Sequence, residues 1–242
     1  RRGLRHICQN LNFLGIDTQG GFQSYWNVPT HTVLTLPEEL PLKRAALIEP
    51  LAVACHDVRL GNVQPGEFVV VLGGGPIGTL VGLVAQHAGA DVVVSEINDA
   101  RVRIGRDLGL EVVNPGEVDL VELVESRTGG AGADVVFEVT SSFGGAEIMT
   151  ELPRTRGRIV IVGIFSDAPP VNLFRILWRE LQLRGARVYE RQDFEKAIEL
   201  ATTGDLPLDD LISEVYPLER LEEGLKQLAQ GGDVMKVLIA CS

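Results

Sequence analysis

The chain has 242 residues, 45% hydrophobic and 23% charged, the mix of a globular protein with room for one large domain or for one domain and part of another. A formal net charge of −11 with only four lysines disfavours nucleic acid and anionic membrane surfaces, which both reward clustered Lys and Arg. No uninterrupted apolar run approaches the ~20 residues that span a bilayer, Arg1 begins nothing like a signal peptide, and three scattered cysteines make no disulfide framework, so a reducing cytoplasm is expected.

The opening "RRGLRHICQNLNFLGI" lacks an initiator Met, which implies processing, truncation or an omitted segment. His6 and Cys8 lie two residues apart, but two potential ligands do not make a tetrahedral metal site. "GGFQSYWNVP" and "THTVLTLP" predict short strands punctuated by Gly and Pro, and a helix follows through "ALIEPLAVACHDVRL". Turn residues at Gly61, Pro65 and Gly66 then introduce a different texture.

From Gln64 onward, β-branched runs alternate with helical patterns, the signature of repeated βαβ units and a parallel sheet. The runs are 68–73, 91–96, 111–114, 133–139, 158–163 and 181–188, six strands suited to a doubly wound α/β fold. Between the first two, Ile77, Leu80, Val81, Val84 and Ala88 line one face of a helix, and Phe194, Ala197, Ile198 and Ala201 repeat the pattern later. At the far end, Leu218, Leu221, Leu225 and Leu228 mark one side of a helix that precedes a final strand. The two flanks read as pieces of a second, β-rich lobe. The expected division is 1–60 as a remnant of that lobe, 61–203 as the dinucleotide-binding domain, and 204–242 as a return to the lobe.

The strongest chemical signal is "VVVLGGGPIGTLVGLVAQHAGADVVVSE". Gly73, Gly75 and Gly78 fit G-x-G-x-x-G between a strand and a helix, and Glu96 closes the next strand. Gly73 permits a sharp turn, Gly75 lets a pyrophosphate approach with no Cβ in the way, and Gly78 lets the helix pack closely on the sheet. Pro76 suits the first helical position, and the neighbouring N–H groups, with that of Ile77, favour phosphate. Glu96 stands where a carboxylate accepts from both hydroxyls of the adenosine ribose, and it would repel a phosphate there, so NAD is expected over NADP. On the same sheet, an S-adenosylmethionine methyltransferase is the main competitor, and Glu96 as a solvated strand end is the plain alternative.

These residues resemble the zinc-containing medium-chain alcohol dehydrogenases, and within them the polyol branch of sorbitol and butanediol dehydrogenases. The resemblance runs over essentially the whole chain, on "RHIC" at Arg5 to Cys8, "GGF" at Gly20 to Phe22, "ALIEPLAVA" from Ala46, "GGGPIG" at Gly73 to Gly78, "GRIVIVGI" from Gly157 and the "GGD" and "MKVLI" of residues 231–239. It implies a Rossmann sheet flanked by pieces of a GroES-like catalytic lobe, with most of that lobe preceding this chain. Cys8 then matches the last of four structural zinc ligands.

By the same resemblance Glu49 lies beside the catalytic zinc, directly or through water; taken alone, a Glu-Pro at a helix start equally complements the helix dipole. His56 shares a helical face with Glu49, and as a lone histidine it is more often packed or solvated. Arg101 lies over the adenine or near its ribose, or is an exposed helix arginine. Val162, Gly163 and Ile164 face the nicotinamide carboxamide with their backbone, and Val139 and Thr140 end the fourth strand similarly. Lys236 reaches a cofactor phosphate, or is a surface lysine. "LRGARVY" is an edge strand of the kind this family pairs across a subunit interface, which implies a homodimer or homotetramer.

The implied activity is zinc-assisted hydride transfer from a small secondary alcohol or polyol to NAD, giving a ketone, in an enzyme of which this chain is an inactive portion by itself. The alternative is a naturally shortened NAD-binding module without turnover, a sensor or pseudoenzyme.

Overall fold

A computed structural model describes residues 3–241. After a 3-10 turn at Thr30–Thr32 come two helices, α1 (Leu42–Ala45) and α2 (Ile48–Leu60), and an alternating series follows. It runs β1 (Phe68–Leu72), α3 (Pro76–His87), β2 (Asp91–Ser95), α4 (Asp99–Asp107), β3 (Glu111–Val113), α5 (Leu120–Thr128), β4 (Ala133–Glu138), α6 (Phe143–Ile148), β5 (Pro153–Ile161), α7 (Leu173–Trp178), β6 (Gln182–Gly185) and α8 (Arg191–Thr203). The chain closes with β7 (Ile212–Pro217), α9 (Leu221–Gln230) and β8 (Lys236–Ala240).

The six β-branched runs form one parallel sheet in the order β3-β2-β1-β4-β5-β6. Val and Ile dominate because the central strands are covered on both faces; every residue of β1 is buried. Val69 and Val71 pack with α2, α3 and α8, whereas Phe68, Val70 and Leu72 pack with α5 and α6. Helices therefore lie on both faces, and the expected doubly wound α/β architecture is present. Local signals agree: Pro76 starts α3, Asp119 caps α5, and Gly129 ends α5 in the left-handed region.

Outside the sheet the sequence misleads. The strands expected in "GGFQSYWNVP" and "THTVLTLP" do not form, and a single 3-10 turn at Thr30–Thr32 is the regular element described there. An extended segment becomes a strand only beside a partner edge, and among the described residues both sheets are built from later strands. At the other end the sequence signals one strand where the structure has two: β7 pairs parallel with β8 across α9. Leu225 and Leu228 on the expected apolar side of α9 are exposed.

Candidate functional site

In the order β3-β2-β1-β4-β5-β6 the direction of winding reverses between β1 and β4, and ligands of such sheets bind at the carboxyl ends of the strands beside that point. A cleft of about 620 Å³ opens there, lined by Gly73, Gly75, Glu96, Arg101 and Thr140 among others. Gly73 takes φ +102, a conformation glycine adopts without strain, to turn the chain out of β1. Gly75 is the N-cap of α3, with Pro76 at the first helical position. The N-terminal end of α3 is thus directed at the cleft, where its N–H groups and dipole favour an anion. A Cβ on Gly78 would collide with the Gly73 carbonyl, the close helix-to-sheet approach that the motif implies.

Glu96 is buried, and both carboxylate oxygens are held by main chain: Oε2 accepts from the Gly74 N–H and Oε1 from the Asn98 N–H, each at 2.8 Å. Asn98 in turn caps α4 by accepting from the Ala100 and Arg101 N–H groups. The acid is thereby fixed at the cleft wall with its remaining lone pairs available to a ligand. Gly74, the glycine inside the motif, is required for a different reason, since a Cβ there would stand 2.9 Å from Glu96 Cβ. Arg101 shares the cleft with Glu96, and its Nε is buried without a hydrogen-bond partner. Sequence reasoning also missed Gly231 and Gly232, which wall the cleft from the turn before β8.

Around the ends of β4 and β5 the expected residues are less uniform. Thr140 lines the cleft. The Val162 and Gly163 N–H groups are both bonded to the Glu138 carbonyl at 2.9 Å, and Ile164 is 91% exposed. Lys236 begins β8 outside the cleft and lies beside Glu49; burial lowers its pKa and the Glu49 charge raises it, with a net fall. Glu49 occupies the first turn of α2 and is exposed as a residue. Partial desolvation of its carboxyl raises its pKa, against the Lys236 charge and a hydrogen bond with Tyr189.

His56 does not face the cleft. It is buried, with Nδ1 2.7 Å from Asp193 of α8, and Arg59 clamps both Asp193 oxygens and Glu190. His56, Glu190 and Asp193 are the one group among the described residues with metal-like spacing. The Arg59 guanidinium already satisfies those carboxylates, so the cluster is an ion-pair network tying α2 to α8. His6 meets His56 edge to face at a centroid distance of 5.3 Å.

Zinc requires four ligands in a structural site and three protein ligands in a catalytic one. Cys8 is exposed and Glu49 is a single carboxylate, and neither belongs to a cluster of donors among the described residues. The residues present therefore do not by themselves build a zinc centre.

Residues 76–203 match the family model described as "Zinc-binding dehydrogenase". The chain is 50% identical over 240 residues to 2-dehydro-3-deoxy-L-galactonate 5-dehydrogenase of Pseudoalteromonas atlantica, covering 99% of this chain and 70% of that protein. This chain belongs to the zinc-binding dehydrogenases. The crystal structure of 2R,3R-butanediol dehydrogenase from Bacillus subtilis superposes with a TM-score of 0.92 at 31% identity, over 98% of this chain and 69% of that one. A zinc-binding dehydrogenase from Sinorhizobium meliloti, solved with NADP bound, gives 0.89 at 31% identity, over 97% and 70%. The family model and these relatives agree with the dehydrogenase resemblance of the sequence and support oxidoreductase function on a small-molecule substrate.

Proposed function

We propose that this chain is the NAD-binding portion of a dehydrogenase that converts a secondary alcohol, of the polyol or sugar-acid class, to a ketone. The observation that carries the cofactor choice is Glu96, a buried carboxylate fixed at the cleft wall by the Gly74 and Asn98 N–H groups. Carboxylate lone pairs accept from ribose hydroxyls, and a 2′-phosphate at the same place would meet a like charge. The pyrophosphate then rests on the Gly73–Gly75 turn and the start of α3, while Arg101 covers the adenosine side. Extended from there, the nicotinamide falls between Thr140 and the Val162–Gly163 turn, the neighbouring strand ends. The substrate class rests on the sugar-acid and butanediol relatives.

Bound NAD would supply a hydride acceptor, C4 of the nicotinamide, for the hydrogen of the carbinol carbon, while the hydroxyl proton would pass to solvent. The chain's own contribution is to bind the dinucleotide and hold its ring at the carboxyl ends of β4 and β5. Glu49, with Lys236 and Tyr189 beside it, supplies a carboxylate from the lobe side. With neither Cys8 nor Glu49 in a group of three donors among the described residues, the 242-residue chain should bind NADH, carry substoichiometric zinc after dialysis, and show no alcohol-dependent NAD reduction. Metal analysis, NADH fluorescence titration and an assay with butane-2,3-diol check this. Stoichiometric zinc with turnover would contradict the donor account, and absence of NADH binding would contradict the proposed function itself.

A further inference from the structure

Glu138 ends β4 at the point where the sheet winding reverses, and its side chain is fully buried. Oε1 accepts the Thr140 N–H at 2.8 Å and the Thr140 hydroxyl. Oε2 is buried with no hydrogen-bond partner. The Ser141 N–H faces the same carboxyl out of line, and Ser141 itself holds φ +56, a backbone region that side-chain-bearing residues seldom enter. Burial pushes the Glu138 carboxyl up, against the opposing pull of the Thr140 hydrogen bonds and the nearby Ser141 N–H.

The surroundings are as specific as the bonds. A Cβ on Gly163 would stand 2.5 Å from Oε2, and one on Gly145 would stand 2.6 Å from Oε1. The carboxyl therefore fills the space between residues 139–145, the loop after β4 and the first turn of α6, and the turn that follows β5, residues 162–164. The Glu138 carbonyl reinforces the same junction by accepting the Val162 and Gly163 N–H groups. A strand-end acid that merely stapled a turn would need one oxygen and would leave the other in water. Here the second oxygen is buried as well, with no in-line donor and only the Ser141 N–H near it, an arrangement that stability alone disfavours.

We infer that Glu138 is a positioning residue for the nicotinamide ring: its carboxyl, wedged between Thr140 and Gly163, sets the width of the slot that receives the ring. This rests on the dinucleotide reading above. Glu138 touches no part of the cofactor in that reading and acts through the two loops. Adenosine and pyrophosphate sit on other elements, so the effect is confined to the nicotinamide half.

Two variants approach the junction from opposite sides. Glu138→Gln keeps the volume but turns one acceptor into a donor facing the Ser141 N–H, and Gly163→Ala presses on Oε2. Each is titrated with NADH and with ADP-ribose, and amide hydrogen exchange is followed without ligand. Both variants should lose about tenfold in NADH affinity while ADP-ribose affinity stays within about twofold. Exchange should accelerate at Thr140, Ser141 and Gly163 and not at Gly74 or Asn98. An unchanged ratio of NADH to ADP-ribose affinity in either folded variant overturns the inference. If the unaltered protein binds neither ligand, the dinucleotide reading falls, and exchange rates still decide the wedge: unchanged rates at those three residues overturn it.

Discussion

At Gly75 an added Cβ would meet nothing closer than Arg101 Nη1, 3.7 Å away. The free protein therefore has room for a side chain that a bound pyrophosphate does not. Gly75→Val should reduce NADH affinity at least about a hundredfold with a melting temperature within about 2 °C of the unaltered protein, measured by fluorescence titration and thermal denaturation. Unchanged affinity would move the phosphate site elsewhere. At Gly78, by contrast, the same atom would collide with the Gly73 carbonyl, so that glycine serves folding. The sequence made Gly73, Gly75, Gly78 and Glu96 legible because their spacing is local. Gly74 was invisible because its reason is a hydrogen bond and a close approach to Glu96 across 22 residues. Glu138 was invisible too, since an acid at a strand end carries no signal until both neighbouring loops are in place.

Helix α2 shows the same limit at the scale of an element. The helix itself was legible in the sequence, and its Ile48, Leu51 and Ala52 join the core under the sheet. The partner of His56 was not, because Asp193 lies 137 residues away on α8. Asp57, next along α2, is 1% exposed with both oxygens unpartnered, and burial together with the Asp193 charge pushes its carboxyl up to about 8. In the unfolded chain the group ionises near pH ~4. Between those two values the folded state holds a proton that the unfolded state lacks, so stability falls as pH rises, by up to about 1.4 kcal/mol per pH unit. Asp57→Asn removes this titration. Urea denaturation should show the variant gaining on the unaltered protein from pH 5 to pH 8, and a constant difference across that range would contradict the burial account. The failed strands between Gly20 and Pro37 show the complementary limit: local β-propensity in "YWNVP" and "HTVLT" gives no strand without an edge to pair with.

For the molecule as a whole, the doubly wound sheet was legible because all six strands and their helices alternate in sequence. What the sheet leaves uncovered bears on assembly. β6 is the outer strand, and α7, which leads into it, exposes Leu173, Phe174, Leu177 and Trp178, with the Phe174 and Trp178 rings stacked at 5.5 Å. An apolar face beside an open strand edge is a surface that a second copy covers by continuing the sheet. We therefore expect a homodimer across this edge, or a homotetramer built on it. Trp178→Glu should convert it to monomer in light scattering, and a monomeric unaltered protein would contradict the assignment.

At the centre of this molecule's chemistry stands the cleft beside Gly73, Gly75 and Glu96, which in the proposed function holds NAD and discriminates against a 2′-phosphate. Calorimetric titration of the purified protein with NADH and NADPH under one buffer condition tests this most directly. NADH should bind at least about tenfold tighter, a gap of about 1.4 kcal/mol, because Glu96 accepts from the ribose hydroxyls and repels the phosphate. Equal affinities, or tighter binding of NADPH, would contradict it.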